Sequence, residues 1–122
     1  PPAAALRPLE RATRDMARAL DADDLGGWAE ADARFHRHLV ELSGNALLVQ
    51  AVLRYADRVH RARLLTLRLR PRPDASTREH TALVERIRAG DEAGAYAASR
   101  RHRERASREL VEIFERFQLH GV

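Results

Sequence analysis

Apolar residues recur along this chain every three or four positions, and almost nowhere every second one. Leu6, Leu9, Met16 and Leu20, with Thr13 between them, share one helical face and predict a first helix over residues 6–20. No Asn-Gly or Asp-Gly joins two apolar runs, so hairpins are not expected. Asp23 or Asp24 can cap a second helix reaching to about Ser43, where Gly44 offers a stop, although Gly26 and Gly27 weaken its first turn. A third helix is expected from Ala46 to Leu69, closed by "RPRP" at 70–73, since proline fixes φ and removes a donor. "STRE", Ser76–Glu79, has capping-box spacing and predicts a fourth helix from Ser76 to Ala89. "AGD" at 89–91 pairs a stop glycine with a capping aspartate ahead of a last helix over about 92–118. Short corners favour antiparallel neighbours. The expected fold is therefore all-α, an antiparallel bundle of about five to six helices, with residues 1–122 forming one domain.

Ionisable residues interrupt the faces that ought to be apolar. Within "DARFHRHLVELSGN", residues 32–45, Asp32, Phe35, His36 and Leu39 project the same way. A buried carboxylate without a partner costs several kcal/mol. His80 lines up with Leu83, Val84 and Ile87, and His102 with Ala95, Ala98, Ala106, Leu110 and Ile113. His60 also faces inward, near Ala56 and Leu64, whereas His38 and His120 read as surface residues. Any one such histidine fits a core residue satisfied by hydrogen bonds. Three of them together with Asp32, on three inward faces, point to a bound cation held by Asp32, His36, His80 and His102. Asp32 and His36 are an i,i+4 pair, the spacing that lets two side chains reach one metal. A metal-free bundle would instead protonate the acid or pair it with Arg. A His3Asp set suits Zn²⁺ or Ni²⁺ better than a hard cation.

Composition narrows the chemistry further. There is no cysteine, which removes disulfides, thiolate metal sites and thiol nucleophiles. All 22 basic residues are Arg and the formal charge is +4, which raises the possibility of nucleic-acid binding. Acidic residues alternate with the arginines along each helix, as on solvated faces carrying i,i+4 pairs. No apolar run approaches the roughly 18 residues of a membrane span, and the N-terminus lacks the order of a signal peptide, so a cytoplasmic location is expected. Arg63 continues the line Val52, Ala56, Val59 into the same interior, where its guanidinium could clamp a carboxylate. Arg58 stands behind it as a second candidate.

"DARFHRHLVELSGN" resembles the D-x-x-F-H…S-G-N signature of the FadR-type C-terminal domain, the effector-binding module of GntR-family transcription regulators. "EHTALVERIRAGDEAGAYAASRRH", residues 79–102, resembles that domain's second signature. The resemblance implies a helical bundle binding a divalent metal through Asp32, His36, His80 and His102, a small organic or sugar acid effector against the metal, and a homodimer. It assigns Asn45 a supporting or capping role. It also implies that DNA is read by a winged helix-turn-helix outside this chain, with the domain's first helix also outside it. Other readings are a metal-dependent hydrolase, with Glu41 and Glu79 expected to face outward rather than serve as a base, an arginine-rich nucleic-acid module, and a structural bundle without metal.

Overall fold

The computed structural model describes residues 3–42 and 44–120, with side chains through Phe117. Among the described residues five helices run in order, α1 (Ala3–Asp21), α2 (Leu25–Glu41), α3 (Ala46–Thr66), α4 (Asp74–Arg88) and α5 (Glu92–His120), with a 3-10 turn over Leu67–Leu69 after α3. The all-α expectation holds. No helix among the described residues is long and apolar enough to cross a membrane.

The core forms where α1 lays Leu6, Leu9, Ala12, Met16 and Leu20 against Trp28, Ala29, Ala31 and Phe35 of α2 and Leu83 and Val84 of α4. Cross-links fix the directions. Arg72, just before α4, donates to the Leu20 carbonyl at 3.0 Å, while Arg88 at the far end of α4 meets Glu10 at 2.8 Å, so α1 and α4 run antiparallel. Trp28 Nε1 donates to Thr77 Oγ1 at 2.8 Å, satisfying the one polar atom of a buried indole. By contrast α3 has no buried residue and packs mainly on α2.

Helix ends follow local chemistry, with two corrections. Asp24 caps α2 by accepting the Gly27 N–H at 2.9 Å, and a Cβ at position 27 would collide with that carboxylate. The glycine that weakens the first turn by propensity thus makes room for its cap. Asp91 and Gly94 repeat the arrangement at α5, after Gly90 leaves α4 at φ +72°. The second correction concerns α4, which begins at Asp74 rather than at Ser76 and has no side-chain cap. Asn45 caps α3, its Oδ1 accepting the Leu48 N–H at 3.1 Å. Ser43 lies outside the described residues.

Candidate metal centre

Three helices aim imidazoles at one point. His36 of α2, His80 of α4 and His102 of α5 each offer a ring nitrogen within 4.8 Å of the others. Ring centroids are 5.1 Å apart for His36–His80 and 4.5 Å for His80–His102. Phe35 stacks on His80 at 4.2 Å and holds the ring against the core. His80 and Asp32 are buried at 2% and 3% exposure, so neither relies on water for solvation.

Asp32 sits just beneath the triad. Its Oδ1 accepts from His80 Nε2 at 2.8 Å and lies 3.3 Å from His36 Nε2, and its Oδ2 is 3.4 Å from an Arg63 nitrogen. Burial pushes this carboxyl up, but the adjoining His36 and His80 imidazoles outweigh that, and it remains ionised well below the ordinary carboxylate range. Burial holds His80 down at about 4 despite the attraction of Asp32. The pair is therefore an anion accepting from a neutral imidazole. His36 Nε2 is buried and makes no aligned hydrogen bond of its own. A borderline divalent ion fits this donor set: clustered neutral imidazoles, an adjacent carboxylate and an unsatisfied ring nitrogen.

The triad opens on a cavity of about 530 Å³ lined by Leu39, Val59, Arg63, Arg70, Leu83, Ala98 and Leu110 among others. A second cavity of about 530 Å³ lies between α2 and α3 and shares His36, Val59 and Arg63 with it. Arg63 therefore stands at the junction of both spaces. His60 does face inward, but into the second cavity, with Nε2 3.5 Å from Glu30. Arg58 is exposed and lines neither space. His38 is partly exposed and bonded to Glu41, and the His120 side chain lies outside the described residues.

Sequence reasoning missed Glu79, its partner Arg105 and Arg70. Glu79, expected to face outward, lines the first cavity and accepts from His102 Nδ1 at 2.7 Å. Burial raises its pKa, yet hydrogen bonds from Arg105 and His102 bring it down to about 2. The capping-box spacing concealed this, because Ser76 and Glu79 both turn toward α5 and meet Arg105 instead of the helix start. Arg70 of the "RPRP" segment also lines the cavity, its pKa lowered by burial and by the neighbouring charge of Arg63. No periodicity marks a residue in an irregular segment.

Neither curated proteins nor solved structures returned a match to the chain. A family model described as FCD domain matches residues 1–105. That span holds every residue of the imidazole cluster, its carboxylate partners Asp32 and Glu79, and the cationic wall of Arg63 and Arg70. The chain belongs to the FCD domain family, the ligand-sensing domains of GntR-type transcription regulators.

Proposed function

We propose that this domain senses a small organic or sugar acid through a divalent metal, Zn²⁺ or Ni²⁺, held by Asp32, His36, His80 and His102. The observation that carries the reading is the convergence of three imidazoles within 4.8 Å at the wall of a cavity. Bound there, the metal would supply a Lewis-acidic point for an effector oxygen. The remaining recognition falls to the chain's own residues. Arg63 and Arg70 give the cavity a cationic wall, and Leu39, Val59 and Leu110 supply apolar lining beside it. A guanidinium in such surroundings is a bidentate partner for a carboxylate.

Arg63 also connects the cavity to the bundle. It reaches Asp32 at 3.4 Å from α3, the helix least anchored in the core. An acid drawing Arg63 toward itself competes with Asp32 for the guanidinium and biases the position of α3. An effector alters DNA binding only so far as it prefers one such arrangement over another. Its output passes to a separate DNA-reading unit, and the domain works as a cytoplasmic homodimer. Leu65 on α3 and Phe114 and Phe117 on α5 are large apolar side chains left exposed, which a pairing surface would cover. Sensing is favoured over hydrolysis because Glu79, the carboxylate beside the triad other than the proposed ligand Asp32, is already engaged by His102 and Arg105.

Calorimetric titration with Zn²⁺ and Ni²⁺, then with a panel of mono- and dicarboxylic acids, tests the reading. The expected result is one metal per chain, acid binding that requires the metal, and loss of acid binding in Arg63→Ala with metal uptake kept. Stoichiometric metal in a His80→Ala/His102→Ala double variant would overturn the ligand assignment.

A further inference from the structure

Glu79 and Arg105 form a tie on the outer side of the imidazole cluster that the ligand set itself does not require. Glu79 Oε1 lies 2.7 Å from His102 Nδ1. Arg105 Nε reaches both Glu79 oxygens, at 3.0 and 2.8 Å, and its Nη2 reaches Oε1 at 2.6 Å. The same Nη2 donates to Ser76 Oγ at 2.8 Å, and Nη1 pairs with Glu109. The guanidinium is thus held on several sides. His102 is 15% exposed, so its ring has little water to bond with in place of Glu79.

A neutral imidazole carries one N–H, and which nitrogen bears it is set by the partner each nitrogen meets. A carboxylate can only accept, so Glu79 places the proton on Nδ1. That leaves Nε2 as a bare lone pair, the state a metal ligand needs. An imidazole free to rotate or to exchange tautomers would first have to be ordered.

We infer that Glu79 is a positioning residue that fixes the His102 ring and its Nδ1–H tautomer, and that Arg105 holds the Glu79 carboxylate in place for that task. The inference rests on the proposed metal-sensing role for its purpose, but the tautomer exists without metal. Long-range ¹H–¹⁵N correlation spectra of the metal-free chain at about pH 7.5, above the usual histidine range near 6.5, read the tautomer directly. Zinc titration of the same samples reads the consequence.

In the unsubstituted chain His102 is expected as Nδ1–H. Glu79→Leu is expected to move His102 toward the Nε2–H form while His80, held by Asp32, keeps its tautomer, and to weaken zinc binding roughly 10- to 100-fold, the usual effect of removing a partner that orients a ligand. Glu79→Gln keeps a carbonyl acceptor of the same reach and should restore much of both. Where Glu79→Leu does not fold, Arg105→Met is read in its place, with the same shift at smaller amplitude. An Nε2–H tautomer in the unsubstituted chain, or a tautomer and zinc affinity untouched by the substitutions, would overturn the assignment. A chain that shows the tautomer shift but takes up no zinc would keep the tie and refute the metal reading instead.

Discussion

Two halves of this small bundle are built on different terms. In one, α1, α2 and α4 bury Leu9, Met16, Phe35 and Val84 almost completely. In the other, α3 has no buried residue, and the far end of α5 leaves Val111, Phe114 and Phe117 about half exposed. The candidate site straddles the boundary. Asp32 and His80 are rooted in the tight half, whereas Arg63 and His102 reach in from α3 and α5. A sensor needs both: a fixed point to bind against and a weakly held element whose position a ligand can bias.

Substitutions that break this contrast rank by how deeply they cut into the tight half. Phe35→Ala removes a fully buried ring that also backs His80, and should cost about 3–5 kcal/mol in denaturant unfolding. Asp32→Ala leaves the buried His80 N–H without its acceptor, for an expected loss of about 1–3 kcal/mol in the metal-free chain. Leu65→Ala, on the open half at 82% exposure, should change the unfolding free energy by no more than about 0.5 kcal/mol at protein concentrations too low for pairing.

Acid should erode the site in a definite order. Native His80 stays neutral down to about 4, while the unfolded histidine takes a proton near 6.5, so the unfolded state binds more protons between them. Stability present above 6.5 is therefore lost as pH falls toward 4. Glu79 adds a further loss between 4.5 and about 2, and Asp32 another below 3.8. Melts of the metal-free chain across this range should show a falling midpoint, and a midpoint constant from pH 6.5 to 4 would contradict the neutral, buried His80.

Much of this arrangement was legible from residue spacing alone. Face assignments placed Asp32, His36, His80 and His102 inward because a 3.6-residue period says which side chains share a stripe. Asp91, and Asp24 as one of two adjacent aspartates, read as caps because capping is local chemistry, whereas the capping role of Asn45 came with the family resemblance. Long-range pairing was not legible. Ser76 and Glu79 satisfy a capping-box pattern, yet the same spacing puts both on the side of α4 that meets α5, and Arg105 claims them. His60 was rightly turned inward, but periodicity does not say which cavity lies inside, and for α3 it is the cleft against α2. Arg70 lies outside any regular helix and carries no pattern to read.

The central claim is that the buried Asp32 and the three imidazoles exist to hold a cation. Metal content of the purified chain by mass spectrometry, followed by melts with and without chelator, tests it most directly. One Zn²⁺ or Ni²⁺ per chain is expected, with a melting midpoint that drops on chelation, because an ion bound only to the folded state stabilises it. A metal-free chain that takes up no added Zn²⁺ or Ni²⁺, with a midpoint indifferent to chelator, would contradict it and leave Asp32 as an anion satisfied by His80 and Arg63 alone.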